Sequence, residues 1–225
     1  ERLATIALME LSVMQLVAVY AIPVIFAITL HEAAHGYVAF RLGDPTAKLL
    51  GRISANPVKH IDLIGTIVVP GLTLLASKAI GLPMVFGWAK PVPVNGAMLN
   101  RPQRDMGLVA SAGPLANFLM ATAWGLSLGV MVFFSIENDF MILMAIAGIH
   151  VNVVLAVLNL MPVPPLDGGR ILISLLPAKP AALVARLEPY GLIILLLLLA
   201  SGVLGKYLRP VIDYVTSFYF YVFGF

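Results

Sequence analysis

The chain has 225 residues, of which 60% are hydrophobic and only 11% are charged, and its mean hydropathy is +0.99. A water-soluble fold of this size would need more polar surface, so the composition indicates an integral membrane protein in a lipid bilayer. The net charge of +3 comes from scattered basic residues that form no Lys/Arg run, which argues against nucleic-acid binding. The sequence contains no cysteine, which excludes disulfides, thiolate metal sites and cysteine nucleophiles.

The first apolar segment extends from about residue 11 to 42, which is longer than one upright membrane span. Pro23 interrupts it and predicts a short helix followed by a longer one. We expect the segment to stay in the mature protein, because it leads directly into His31-Glu32 and contains no small-residue cleavage site. Basic residues follow in the loop 43–62, which the positive-inside rule assigns to the cytoplasm. Within it, residues 46–60 are a candidate edge against which an unwound substrate could pair as an added strand.

Residues 64–86 are apolar enough to cross a membrane, but Pro70-Gly71 interrupts them and the basic loop 87–106 follows. A single crossing would place that loop outside, so we predict a re-entrant segment that returns to the cytoplasmic face. The run 107–134 then predicts a full span. It leads to the short loop 135–139, which has no Lys or Arg and is predicted to be external.

The later part of the chain predicts a return span at 140–160, which ends in a proline-rich and basic cytoplasmic stretch at 161–189. An outward segment follows at 190–204. The aromatic tail 207–225 either returns across the membrane or lies at its interface, where Tyr and Trp are enriched.

These segments predict an all-α integral membrane protein with about five to six transmembrane helices, a re-entrant segment and a short extended or β loop after the first long helix. We expect one membrane-embedded domain over residues 1–225. Its core lies at about 20–175, and C-terminal helices occupy 190–225.

The sequence His31-Glu32-Ala33-Ala34-His35 is an H-E-x-x-H motif. On a helix, this spacing places both imidazoles on one face, about one turn apart, where they can bind the same zinc ion. Glu32 is offset by one residue, so it can act as a general base on water without occupying the metal. Ionisable residues inside an apolar segment are costly to bury and are usually functional.

A catalytic zinc site needs a third protein ligand and leaves a fourth position for water. His60 lies in the basic loop and His150 lies in mid-span, so neither is expected at the depth of His31. Asp167 is the better candidate, because the preceding span ends on the cytoplasmic side and the two following glycines permit close backbone approach. The spacing alone is equally consistent with Asp167 as a helix N-cap.

Three elements of the chain form a joint pattern. They are His31-Glu32-Ala33-Ala34-His35, then Ala112-Gly113-Pro114-Leu115-Ala116-Asn117, and finally Asn159-Leu160-Met161-Pro162 followed by Leu166-Asp167-Gly168-Gly169. Together they resemble the site-2 protease family of intramembrane zinc metalloproteases. The resemblance implies that Asp167 is the third zinc ligand. It also implies supporting roles for Asn159 and Asn117, which would orient the substrate backbone or stabilise an oxyanion, although either residue could instead bond a neighbouring helix.

Residues 86–95 resemble the corresponding loop of a compact bacterial and archaeal subgroup of that family, which lacks PDZ domains and nucleotide-sensing modules. The resemblance implies an endopeptidase with one Zn²⁺ per chain. Its substrates would be single-span transmembrane proteins, cleaved within or near the bilayer in regulated intramembrane proteolysis. The expected location is a prokaryotic cell membrane, with the active site toward the cytoplasm.

Two other classes of protein fit part of the pattern. A membrane metal-ion transporter or metal-binding protein would also bury His and Asp side chains, but it needs neither Glu32 between the histidines nor an open metal position. Metal stoichiometry and retention during purification would distinguish it from a protease. A membrane oxidase or desaturase with histidine-bound iron usually needs more than the four histidines present.

Overall fold

The computed structural model describes residues 12–60, 62, 65 and 90–224. In this part of the chain all regular structure is helical, which confirms the all-α fold. The α-helices are α1 (Val13–Arg41), α2 (Thr46–Leu49), α3 (Pro102–Phe133), α4 (Asp139–Asn159), α5 (Asp167–Leu175), α6 (Ala178–Ala185), α7 (Gly191–Ala200) and α8 (Val203–Phe223). Short 3-10 turns occur at Pro57–Lys59, Gly96–Met98 and Glu188–Tyr190.

Four helical stretches of the described chain are long and apolar enough to cross a membrane: Met14–Arg41, Pro102–Phe133, Asp139–Asn159 and Ala178–Ala200. The last of them joins α6 to α7 through the 3-10 turn at Glu188–Tyr190. The protein is therefore a multi-span membrane protein. The described residues thus provide fewer spans than the five to six predicted for the chain, and nearly all of the predicted re-entrant segment, 64–86, lies outside them.

Helix α1 is continuous across Pro23, so the prediction of two successive helices was wrong. Within a membrane bundle, neighbouring groups compensate for the backbone donor that proline lacks, and Pro23 is completely buried against such neighbours. A capping box starts the helix, since Ser12 Oγ accepts from the backbone N–H of Gln15 and the Gln15 side chain accepts from that of Ser12. At the other end, Gly43 has a φ of +111° and reverses the chain.

Helix α3 is the centre of the bundle and packs against α1, α4, α5 and α8. The main apolar cluster consists of buried side chains from α3, α4 and α8: Ala121, Leu128, Met131, Ala145, Ile146, Ile149, Val153, Val157 and Phe220. Glycines allow the helices to approach closely, because a Cβ at Gly148 would collide with the ring of Trp124 and a Cβ at Gly125 with the ring of Phe223.

The aromatic tail forms α8 and packs along the bundle. Tyr219 Oη donates to the carbonyl of Phe118 at 3.0 Å, and Phe223 lies one to two turns further along α3, against Gly125. Helix α8 therefore runs beside α3 in the same direction. Tyr214 and Tyr221 face away from this contact and are exposed.

The loop after α1 folds back on the segment that precedes α3. Asp44 accepts hydrogen bonds from the backbone N–H groups of Thr46 at 3.0 Å and Asn95 at 2.6 Å, and the N–H of Lys90 donates to the carbonyl of His60 at 3.0 Å. Burial of Asp44 opposes its ionisation, but the hydrogen bonds from Thr46 and Asn95 outweigh this and lower the pKa of the carboxyl.

The predicted extended or β loop after the first long helix takes a different form. Residues 46–60 contain α2 and a 3-10 turn, and no strand is assigned among the residues that the structure describes. The reason is local: Arg52 N donates to Ala47 O, and His60 N to Pro57 O, so these backbone donors are satisfied inside the loop.

Candidate metal centre

His31 and His35 project from one face of α1, as the four-residue spacing predicts. Their Nε2 atoms lie 3.0 Å apart, and the two residues are 8% and 9% exposed. At 1.5 Å per residue, the histidines lie about 15 and 9 Å from the end of α1 at Arg41. Two imidazole nitrogens therefore lie close together in a buried part of the bundle.

Asp167 joins the two histidines from the start of α5. Its Oδ2 atom lies 3.2 Å from Nε2 of His31 and 3.3 Å from Nε2 of His35. The N-cap position of α5 belongs to Leu166, and Asp167 is the first residue of the helix. The Asp167 side chain is therefore directed at the imidazoles and does not cap the helix, which was the alternative that the spacing alone allowed.

Two glycines set the position of α5. A Cβ at Gly168 would collide with the carbonyl oxygens of Leu160 and Met161, and a Cβ at Gly169 with the backbone of Pro164. Because neither side chain exists, the Pro-rich turn after α4 packs directly on the first turn of α5. This contact holds Asp167 at the depth of the histidines.

The three ligand atoms have the spacing that one zinc ion requires. Zinc bonds of 2.0–2.1 Å in tetrahedral geometry separate neighbouring ligand atoms by about 3.3 Å, and the observed separations are 3.0, 3.2 and 3.3 Å. Oδ2 of Asp167 is buried and makes no well-oriented hydrogen bond, although both imidazoles are close. Three potential ligand atoms that converge on one point at these separations fit a divalent cation.

The protonation state of Asp167 also suits a ligand. Burial raises the pKa of this carboxyl, but its contacts with His31 and His35 outweigh burial and lower the pKa to about 2. Asp167 is therefore a carboxylate at neutral pH, which is the form that binds metal.

Helix α3 closes one side of the group. A Cβ at Gly113 would stand 2.5 Å from Nε2 of His35 and 2.6 Å from Nε2 of His31, so only glycine leaves these nitrogens accessible. The outer nitrogens of the rings also contact α3. Nδ1 of His35 lies 2.7 Å from the carbonyl oxygen of Val109, and Nδ1 of His31 lies 2.6 Å from Oδ1 of Asn117.

Glu32 stands beside the three-residue group and is not one of its members. Its Oε2 atom accepts a hydrogen bond of 2.7 Å from the backbone N–H of Val92. The segment that carries Val92 is itself anchored, since Nη2 of Arg52 donates to the carbonyl of Lys90 at 2.8 Å. This arrangement fixes the direction of the Glu32 carboxylate without using a second charged group.

The other polar residues that the sequence analysis considered are not members of the metal group. Asn159 donates to the carbonyl of Leu155 in its own helix at 3.0 Å. Asn117 is completely buried behind His31, so its amide does not face an open side of the site. His60 contacts the carbonyl of Ser54 within the loop, and His150 is exposed on α4.

Sequence reasoning missed two groups at the site. Asn152, in mid-span on α4, bonds Asn117, and an asparagine inside an apolar span is a signal that could have found it, because such residues usually bond another helix. Val92 contributes only a backbone N–H, which leaves no trace in the residue type.

The fold and the site define a membrane-embedded protein with the donor set of a zinc metalloprotease. Residues 135–201 match the profile of peptidase family M50. YwhC of Bacillus subtilis (strain 168) is 37% identical over 196 residues, which cover 83% of this chain and 81% of that protein. Rip2 of Mycolicibacterium smegmatis (strain ATCC 700084 / mc(2)155) is 27% identical over 195 residues, 86% of this chain and 71% of that protein. Each is described as a "putative zinc metalloprotease".

The chain belongs to peptidase family M50, and the resemblance to site-2 proteases is confirmed. The comparison with solved structures gives no significant match.

Proposed function

We propose that the chain is an intramembrane zinc endopeptidase that hydrolyses peptide bonds within or near the transmembrane segments of single-span membrane proteins. The observation that carries this proposal is the buried group of His31, His35 and Asp167 on a membrane-spanning bundle, with Glu32 as the residue that follows His31 on the same helix. A zinc endopeptidase needs three protein ligands and one adjacent base, and the chain offers that set.

His31, His35 and Asp167 would hold one zinc ion, which supplies Lewis acidity toward water and the scissile carbonyl when bound. Glu32 takes the proton of the attacking water and returns it to the leaving amine. The N–H of Val92 donates to Oε2 of Glu32, and this contact orients the carboxylate for proton transfer. The ligands are buried where α1, α3 and α5 pack together, which limits their contact with bulk water.

The depth of the site sets a requirement on the substrate. A transmembrane helix shields its peptide bonds in its own hydrogen bonds, so a local stretch must unwind before water can attack. Glycine and proline reduce helix stability by about 1 and 3 kcal/mol relative to alanine. Substrates of this enzyme are therefore segments with helix-weakening residues near the cleavage position.

Cleavage of single-span peptides tests the proposed function. Purified protein in detergent should cut a peptide with Gly or Pro near the scissile bond faster than the same peptide with Leu there, because unwinding contributes to the barrier. A zinc chelator should stop the cleavage and added zinc should restore it. Equal rates for the Gly and Leu peptides would contradict the claim that unwinding of the substrate helix limits cleavage. Metal flux into proteoliposomes without any cleavage would favour a transporter.

The orientation of the chain is a separate proposal. The loops 43–62, 87–106 and 161–189 carry most of the Lys and Arg residues, which favours the cytoplasm of a prokaryotic cell for all three. The cysteine-free chain permits a direct measurement with single cysteines and an impermeant thiol reagent on intact cells. Glu137→Cys should be labelled from outside, and Asn95→Cys and Lys179→Cys should be protected until the cells are permeabilised. External labelling at position 95 would contradict the re-entrant course of 64–86.

A further inference from the structure

Two fully buried asparagines connect His31 to the far side of the bundle. Oδ1 of Asn117 on α3 lies 2.6 Å from Nδ1 of His31, and Nδ2 of Asn117 donates to Oδ1 of Asn152 on α4 at 3.0 Å. Nδ2 of Asn152 then donates to the carbonyl of Gly148 at 2.8 Å. Both asparagines are 0% exposed, so water does not compete for these bonds.

Two backbone carbonyls determine the direction of every hydrogen bond in this chain of contacts. The carbonyl of Gly148 can only accept, so Asn152 must turn its NH₂ group toward it and its oxygen toward Asn117. Asn117 must therefore turn its NH₂ group toward Asn152, and the same group also donates to the carbonyl of Ala27 at 3.3 Å. The remaining oxygen of Asn117 faces His31 and accepts its Nδ1 proton.

We propose that Asn117, held by Asn152, is a positioning residue that fixes His31 in one tautomer before metal arrives. With the proton on Nδ1, the lone pair of Nε2 is directed at the point shared by His35 and Asp167. The inference rests on the proposed metal centre and not on proteolysis. It assigns to Asn117 a role behind the ligand instead of contact with the substrate.

A structural role alone would leave a different signature. Asparagines in membrane helices also hold neighbouring helices together, and the loss of either Asn117 or Asn152 would then weaken the fold in the same way. The positioning role instead separates the substitutions by whether an acceptor remains for Nδ1 of His31. Asn117→Asp keeps that acceptor and loses the donor to Asn152, Asn117→Leu removes both, and Asn152→Leu removes only the outer bond.

Metal affinity of the purified full chain distinguishes the two roles. Protein stripped of metal is titrated with Co²⁺, followed by its visible absorption, and with Zn²⁺ against a chromogenic chelator. Thermal unfolding of each metal-free variant is measured in parallel. Asn117→Leu should lose about 10- to 100-fold in zinc affinity and change the cobalt spectrum, as expected when the outer partner of a ligating histidine is removed. The zinc affinity of Asn117→Asp should stay within a few-fold of that of the unsubstituted protein. Asn152→Leu should lose less zinc affinity than Asn117→Leu.

Controls keep the outcome unambiguous. His150→Leu removes an exposed histidine from the helix that carries Asn152 and should leave the zinc affinity unchanged. Asn117→Ala replaces Asn117→Leu if the larger side chain prevents folding.

Unchanged zinc affinity in the apolar Asn117 variants, or an equal loss in Asn117→Asp, would overturn the proposal. An unsubstituted chain that binds one cobalt ion but cleaves no peptide would contradict the protease function and leave this inference intact. A chain that binds neither metal would overturn both.

Discussion

Replacement of Glu32 by Gln should lower peptide-bond cleavage by about 10²- to 10⁴-fold, the usual contribution of a general base, while zinc content remains near one per chain. Glutamine has the same size, and its carbonyl oxygen can still accept the N–H of Val92, so the local structure should persist. It cannot take a proton from water at neutral pH. Initial cleavage rates of the purified variant, together with metal analysis of the same sample, measure both parts of the prediction.

Glu32→Asp provides the matched control for this variant. It keeps a carboxylate but is one methylene shorter, so it should lose the Val92 contact and retain part of the activity. A Glu32→Gln enzyme that cleaves at the unsubstituted rate would overturn the hydrolytic mechanism. Loss of zinc from Glu32→Gln would instead mean that Glu32 supports the metal group directly.

The first half of the site could be predicted because it is local. His31 and His35 lie on one helix, and a four-residue spacing determines their relative position whatever the rest of the fold does. The composition likewise determined the class of fold, since a chain with 60% hydrophobic residues has few alternatives to membrane helices.

The third residue of the metal group could not be derived in the same way. Asp167 lies 132 positions after His35 in the chain, and its spacing suited a helix cap as well as a ligand. Its direction depends on the packing of the turn at Leu160–Pro164 against Gly168 and Gly169, which is a tertiary contact. At the level of sequence, only the resemblance to a family favoured the ligand role over the helix cap.

Errors in the sequence interpretation arose where tertiary packing overrides local preference. Pro23 predicted a break, but a buried proline is tolerated in a packed membrane helix. For Asn117 the resemblance implied contact with the substrate, with a bond to a neighbouring helix as the alternative, and the bundle turns it toward His31 on α1. The orientation of Glu32 by Val92 had no signal in the sequence, because any residue except proline supplies the same backbone donor.

Asp167→Ala should lower the zinc affinity, because it removes a ligand atom. The loss should exceed the roughly 10- to 100-fold that is typical when a residue hydrogen-bonded to a ligand is removed. Asp167→Asn should also lose affinity, since a neutral amide oxygen is a poorer ligand for zinc than a carboxylate. His31→Ala and His35→Ala should show similar losses, with weak residual binding by the two ligands that remain. Metal analysis after dialysis and competition with a chromogenic chelator measure each variant.

The asparagine variant separates the ligand role of Asp167 from a role at the start of α5, because Asn suits a helix start about as well as Asp. Asp139→Asn is the matched control, since Asp139 is the first residue of α4 as Asp167 is of α5, but it is exposed and is not a member of the metal group. It should keep full zinc content and activity. An active Asp167→Asn enzyme with a full complement of zinc would overturn the assignment of Asp167 as a ligand, whereas loss of zinc from Asp167→Asn with normal thermal stability would support it.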